Sequence, residues 1–253
     1  MALCIAAAGA LAADGRCVAE SGARTLPLVE LYTSEGCSSC PPADRWLAKT
    51  LAPADDGPAA ALAFHVDYWD KLGWPDRFAR AAWSERQRDI ARASRTGVVY
   101  TPQVVLQGQD TVAWQSNAAS REIAQAVAAA PRAKINVETE TRGSRIAVKA
   151  SARVNASAPR EGARLVVAYT DGGHVTPVKR GENAGVTLVH DHVVRALATG
   201  TAADATGAMT LDATIDLPAE AGTRPRLVAF VERFAARDVL QALVVPLDRC
   251  ATR

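Results

Sequence analysis

Apolar and polar positions divide this chain into two textures. Up to residue 131, near-continuous apolar runs alternate with stretches of helical period. Leu26 to Thr33 holds a single charge, Glu30, and predicts a strand buried on both faces. Pro42 to Leu51 predicts a helix with Pro41 as its N-cap. Ala61 to Val66 predicts a second strand, and Asn117 to Ala130 a closing helix capped by Ser116 or Asn117. Ala52 to Pro58 reads as a loop. Residues 71–97 predict a helical insertion rich in Ala, Arg, Glu and Gln. Pro102 to Leu106 and Thr111 to Gln115 predict a hairpin around Gln107 to Asp110.

Past Pro131 the runs shorten and alternate. Lys134 to Glu140, Arg145 to Val154, Arg164 to Thr170, Val186 to Ala198, Met209 to Leu217, Leu227 to Glu232 and Leu240 to Leu247 all read as strands. Gly, Pro, Asn and Asp fall between them. This texture predicts an all-β, sandwich-like C-terminal domain over residues 132–253.

Residues 3–13 are small and apolar, too short a run to span a bilayer, and Ala10-Leu11-Ala12 fits a small-x-small cleavage site. Residues 1–13 therefore predict a secretory signal peptide, although no Lys or Arg precedes the run; the competing reading is a buried N-terminal helix. No other segment is long and apolar enough to predict a stable membrane span. Composition changes the picture little. The 253 residues carry 29 Lys and Arg against 27 Asp and Glu, a net charge of +2, with the basic positions scattered. That points away from nucleic acid and from membrane surfaces as partners.

Cysteine usage is more informative. With Cys4 lost alongside the signal, Cys17, Cys37, Cys40 and Cys250 remain. Cys17 and Cys250 lie near the two mature ends, and domain ends are often close together. A structural disulfide between them is expected, with two unpaired thiols as the alternative. Such a staple suits an oxidising compartment, hence a periplasmic or secreted protein.

Gly36-Cys37-Ser38-Ser39-Cys40-Pro41-Pro42 lies between the first strand and the first helix. Strand, Cys-x-x-Cys, helix is how a thioredoxin-like fold presents two thiols for exchange. The expected fold class is thus an α/β thioredoxin-like N-terminal domain over residues 26–131, followed by the all-β domain. In that reading Cys37 is the nucleophile and Cys40 the resolving thiol. Pro41 and Pro42 lack N–H groups, so acidification of Cys37 by the helix start is expected to be weak. Thr101-Pro102 opens a later strand, where a cis bond is accessible, and would shape a groove facing the dithiol. Ser38, Ser39, Trp69 and Trp74 would line that groove, although the cluster Tyr68, Trp69, Trp74, Phe78 and Trp83 reads equally well as core. Asp67 or Glu30 would accept the proton of Cys40, Asp67 being slightly favoured; a salt-bridged acid, for example with Arg45, is the plainer reading. His190 and His192 would alternate on one strand face. With Glu182 they make a sparse metal set, so a structural role is expected.

Zinc would need four ligands, and no second Cys pair or His pair has suitable spacing, so no resident metal or cofactor is expected. Copper(I) needs fewer soft ligands, and a copper(I)-binding or metallochaperone-like protein using the same dithiol is the alternative function. A non-catalytic interaction protein with a structural disulfide is the third. The favoured function is thiol–disulfide oxidoreductase chemistry on extracytoplasmic protein thiols or disulfides.

Three groups of residues resemble a secreted, thioredoxin-like bacterial family known as a domain of unknown function. They are Val29 to Asp44, His65-Val66-Asp67-Tyr68-Trp69-Asp70 with Leu72-Gly73-Trp74 and Arg86-Gln87, and Tyr100-Thr101-Pro102-Gln103. Gly181-Glu182-Asn183-Ala184-Gly185 and His190 to Arg195 carry the resemblance into the second half. It implies export and an appended β domain, and supplies no reaction. The chain departs from the family pattern at Glu35, where Gln is more usual; a carboxylate beside Cys37 would oppose thiolate formation.

Overall fold

The computed structural model of the chain describes residues 15–51 and 57–252. The expected signal peptide at residues 1–13 and most of the expected loop at 52–58 lie outside these residues. In chain order the strands are β1 (Gly15–Glu20), β2 (Leu28–Thr33), β3 (Ala60–His65), β4 (Gln103–Leu106), β5 (Gln109–Asp110), β6 (Ala133–Arg142), β7 (Arg145–Val154) and β8 (Ala163–Gly172). They continue with β9 (His174–Pro177), β10 (Thr187–His190), β11 (Val193–Ala202), β12 (Ala208–Asp216), β13 (Thr223–Arg233), β14 (Asp238–Pro246) and β15 (Ala251–Thr252). The α-helices are α1 (Pro41–Thr50), α2 (Ala81–Ala93) and α3 (Asn117–Ala128). No helix among the described residues is long and apolar enough to cross a membrane.

Strand accounts for 44 % of the described residues and helix for 19 %, so the molecule is mostly β. Its largest sheet has eight strands in the order β14-β13-β8-β11-β3-β2-β4-β5. This overturns the expected α/β thioredoxin-like N-terminal domain preceding a separate sandwich. The free edge of β3 is taken by β11, which pairs with it in parallel at Val193 and Ala63, so strands from both halves of the chain share one mixed sheet. Local periodicity carries no trace of such a pairing, which joins segments far apart in sequence.

The core follows the sheet. Every residue of β2 is buried because both its faces are covered. Val29 and Leu31 pack with Ala43 and Leu47 of α1 and Ile123 of α3. Leu28 and Tyr32 pack on the opposite face with Trp83 and Ile90 of α2, in a cluster that also takes Val166 and Ala168 from β8 and Val228 and Phe230 from β13. The second sheet, β12-β7-β6-β1-β15, is antiparallel. Strict alternation along β6 and β7 turns Ile135, Val137, Ile146 and Val148 onto Leu165, Val167 and Tyr169 of β8. Cys17 on β1 is bonded to Cys250, 233 positions away. Closing so long a loop contributes on the order of 2–5 kcal/mol by restricting the unfolded chain.

Two local expectations change. The hairpin partner of β4 is the two-residue β5, and of the expected strand Thr111 to Gln115, Val112 to Gln115 form turns instead. The run Val186 to Ala198 is two strands, because His192 lies at φ +58° and breaks the extended chain. His190 and His192 are therefore not on one strand face.

Glu30 shows how the sheet decides a side chain's fate. Strand alternation puts it with Leu28 and Tyr32, on the α2 face. There Arg86 of α2 donates to both its oxygens, at 2.8 and 3.2 Å, and to both oxygens of Glu232 at 3.1 and 2.8 Å. The Tyr32 hydroxyl also donates to Glu30 at 3.0 Å. All three charged side chains are at most 10 % exposed. Replacing Arg86 with Ala leaves two buried carboxylates without a counter-charge, and the expected loss is about 3–5 kcal/mol in urea unfolding. A loss below about 1 kcal/mol would mean that the triad is not formed.

His192 gives a pH prediction. Its carbonyl accepts the Ala63 N–H at 2.8 Å, at the β11–β3 seam. Burial, reinforced by the nearby Arg226 charge, lowers its pKa to about 4. Between that value and about 6.5 the unfolded chain binds a proton that the folded chain refuses, so stability falls as pH drops through this window. The full effect is on the order of 3 kcal/mol. His192→Asn tolerates the left-handed backbone and is expected to flatten the dependence of Tm on pH across that range.

Candidate functional site

Cys40 is the N-cap of α1, at φ −78° and ψ −37°. The helix starts at Pro41, one residue before the expected Pro42, because both prolines fit its first turn, where an absent N–H costs nothing. The residue before a proline usually avoids helical angles. Here the N–H groups of Ala43 and Asp44 hold the Cys40 carbonyl in place, at 2.8 and 3.2 Å. Those bonds and the two prolines leave the helix start few free N–H groups for a sulfur.

Cys37 and Cys40 form a disulfide with Cα atoms 5.4 Å apart. Two turns frame it, with Cys37 N–H donating to Ser34 O and Cys40 N–H to Cys37 O, each at 3.2 Å. Ser38 and Ser39 project into solvent, while both cysteines are 0 % exposed. Ser39 Oγ lies 3.4 Å from Cys37 Sγ and donates to the Thr101 carbonyl at 3.5 Å. Thr101-Pro102, a cis peptide, thus lies beside the dithiol turn. The Trp69 indole donates to Thr101 Oγ1 at 2.8 Å.

Helix α2 supports this surface from behind. Gln87 donates to the Tyr100 carbonyl at 2.7 Å and to Gln103 at 2.9 Å, and accepts from the Tyr68 hydroxyl at 3.3 Å. Ser84 donates to Asp67 Oδ1 at 2.5 Å and accepts from the Asp67 N–H at 3.1 Å. The Arg86-Gln87 pair therefore has two duties, the buried ion triad and the Thr101 segment. Asp67 serves the loop that carries Trp69. Glu30, held by Arg86 on the α2 face, is on the far side of β2 from the helix that Cys40 caps.

Below the turn lies a polar interior. Asp76 accepts from the Glu35 and Phe78 N–H groups at 2.8 and 2.9 Å and lies 2.7 Å from His65 Nδ1. Burial alone would depress His65, but the adjacent Asp76 charge and hydrogen bond raise it. Burial would likewise raise Asp76; His65 and the backbone donors hold it below the ordinary range. Glu35 points inward, 3.3 Å from His190 Nε2, and accepts from the Trp74 indole at 2.8 Å. These contacts outweigh burial and lower its pKa. The carboxylate expected to oppose a Cys37 thiolate, and the indole expected in the groove, thus bond each other instead. His190 stacks edge-on to His65, with centroids 4.8 Å apart. Asp44, one turn after Cys40 on α1, accepts from Thr33 at 3.2 Å; burial raises its pKa against the pull of His190 and His65. Among the described residues no group of three or more His, Cys, Asp and Glu could hold a metal ion.

The segment between β9 and β10 completes the site. Asn183, 4 % exposed, donates to the Glu35 carbonyl at 2.8 Å and the Cys37 carbonyl at 3.0 Å. Glu182 accepts from the Ser38 N–H at 3.1 Å and from its hydroxyl at 2.8 Å. Gly181 at φ +76° lets the loop approach Trp74, where an added Cβ would sit 3.2 Å from Trp74 Cβ. The pattern Gly-Glu-Asn-Ala-Gly signals a tight loop, but its partner lies about 145 residues upstream and leaves no local signal.

The whole chain can be compared with known proteins. A crystal structure of an Agrobacterium tumefaciens protein from a structural-genomics consortium is similar, with TM-score 0.57 and 26 % identity over 90 % of this chain and 96 % of that one. HBP35 of Porphyromonas gingivalis shares the fold at TM-score 0.65 and 16 % identity, over 91 % of this chain and 77 % of that one. No curated protein matches. The profile of the protein family of unknown function DUF1223 matches residues 28–232, a span that holds the dithiol turn, the Thr101 segment and the Asn183 loop together, and the chain belongs to that family.

Proposed function

We propose that this chain exchanges thiols and disulfides with protein partners outside the cytoplasm, through Cys37 and Cys40. One observation carries the reading: the Cys37–Cys40 bridge closes the turn at the head of α1, and the Thr101 carbonyl, just before Pro102, meets that turn at Ser39. The two bridges among the described residues support an oxidising location.

A partner thiolate attacks Cys37 Sγ, the bond to Cys40 breaks, and Cys40 leaves as a thiolate. A second partner thiolate then attacks the mixed disulfide and releases Cys37. The partner loses two electrons as its disulfide forms, and the two cysteines gain them; the reverse sequence reduces a partner. Thr101 offers its carbonyl to an extended partner segment. Asp44 replaces Glu30 and Asp67 as the carboxylate that exchanges a proton with Cys40. It follows Cys40 by one helical turn and burial raises its pKa, whereas Glu30 is paired with Arg86 on the far side of β2 and Asp67 serves the loop that carries Trp69.

The absence of exposed surface on either cysteine favours a second reading, an inert structural bridge. Two measurements separate the readings. In the Cys40→Ala protein, a mixed disulfide between Cys37 and an extracytoplasmic protein is expected to accumulate and to be visible on non-reducing gels. The reduction potential of the Cys37–Cys40 pair is expected above about −300 mV, in the range of labile bridges. No trapped adduct together with a potential well below that value would establish the inert bridge. Stoichiometric copper(I) uptake lost in Cys37→Ser would instead identify a metal-binding dithiol.

A further inference from the structure

The Cys37–Cys40 turn is bonded from outside by two consecutive residues of a distant segment. Asn183 ties the carbonyls of Glu35 and Cys37, and Glu182 ties the N–H and hydroxyl of Ser38. Four hydrogen bonds thus fall on three residues of the turn, Glu35, Cys37 and Ser38, three of them on backbone groups. The sulfurs inside this turn have no exposed surface. A nucleophile must reach a disulfide sulfur roughly in line with the bond it breaks, so a turn held in this position is a turn held out of reach.

We propose that Glu182 and Asn183 are positioning residues for Cys37: they hold the dithiol turn closed, and their release sets the rate at which any thiol can attack the bridge. The two do unequal parts of the work. Glu182 and Ser38 are exposed, so their bonds compete with water and open easily. Asn183 is buried; it satisfies the buried Glu35 carbonyl and adds a second bond to the Cys37 carbonyl, which also accepts the Cys40 N–H. Glu182 is therefore the outer fastening and Asn183 the inner one. Gly181 at φ +76° and Gly185 at φ +83° bracket the pair and give the segment backbone angles that other residues rarely adopt. This inference deepens the exchange reading, since it names what controls access to the same two sulfurs. It also holds for a bridge that has no biological partner.

The test uses the full chain and dithiothreitol as the attacking thiol. One dithiothreitol thiolate attacks Cys37 Sγ and frees Cys40. Its second thiolate displaces Cys37 and leaves cyclic oxidised dithiothreitol, with two electrons passed to the protein pair. Rates of reduction are followed separately for the Cys37–Cys40 and Cys17–Cys250 bridges by quenched alkylation and peptide mass. Glu182→Ala is expected to speed reduction of Cys37–Cys40 about fivefold. Glu182→Gln keeps an acceptor for Ser38 and is expected to remain within twofold of the parent. Asn183→Ala is expected to accelerate the same bridge tenfold or more. Asn183→Asp sets a carboxylate oxygen against two carbonyls and is expected to act at least as strongly. The Cys17–Cys250 bridge serves as the control, with its rate expected to be unchanged in all four variants. Acceleration of both bridges alike would mean general loosening and would overturn the proposal, as would rates within twofold of the parent for Glu182→Ala and Asn183→Ala. Because dithiothreitol needs no partner surface, this outcome is independent of whether Cys40→Ala traps a protein. If the Asn183 variants do not fold, the contrast between Glu182→Ala and Glu182→Gln decides alone.

Discussion

One strand pairing governs this molecule, the parallel contact of β11 with β3. Without it β2, β3, β4 and β5 would end at an open edge, and β8, β13 and β14 would belong to a different object. With it, eight strands share one hydrogen-bonded surface and the hydrophobic cluster under α2 draws side chains from both halves of the chain. The seam is narrow. Its register rests on Val193 opposite Ala63, helped by the His192 carbonyl, and His192 must adopt a left-handed backbone to offer it. Buried packing on both faces holds the sheet where that single ladder would be marginal.

The candidate site is a product of the same pairing. β10 ends at His190 just before the seam, and the loop ahead of β10 carries Glu182 and Asn183. Anchoring β11 against β3 therefore brings His190 under Glu35 and Asn183 onto Cys37. From the other side, α2 spans the ion triad and the Thr101 segment through adjacent residues, Arg86 and Gln87. The dithiol turn is thus held between two supports, neither of which belongs to its own strand or helix.

Much of this was legible wherever the signal is local. The apolar run of β2, the alternation of β6 and β7, and the Ser116 cap of α3 are each specified within about ten residues. What stayed hidden depends on distant partners. Nothing around Glu30 says which face of β2 will meet α2, so its Arg86 partner could not be read, nor could the inward turn of Glu35 toward Trp74. The run from Val186 to Ala198 has the composition of one long strand, and only the seam explains why it breaks at His192. Asn183 lay in a recognised motif, yet a turn-forming Asn and an Asn that binds two foreign carbonyls look alike in sequence. The fold class itself failed for this reason: local elements were visible, and the ladder that merges them into one sheet was not.

The dependence of the Cys37 turn on Asn183 has a consequence for synthesis. A chain made from its N-terminus presents both cysteines of the turn about 145 residues before the side chain that binds it is available. During that interval the edge of β3 also waits for β11, and open edges invite pairing with other chains. A fragment ending anywhere between α3 and Asn183 would carry the two sulfurs without their cover and a strand without its neighbour. Nascent chains are in that state until the second half has been made, which places the greatest exposure of this bridge before folding is finished.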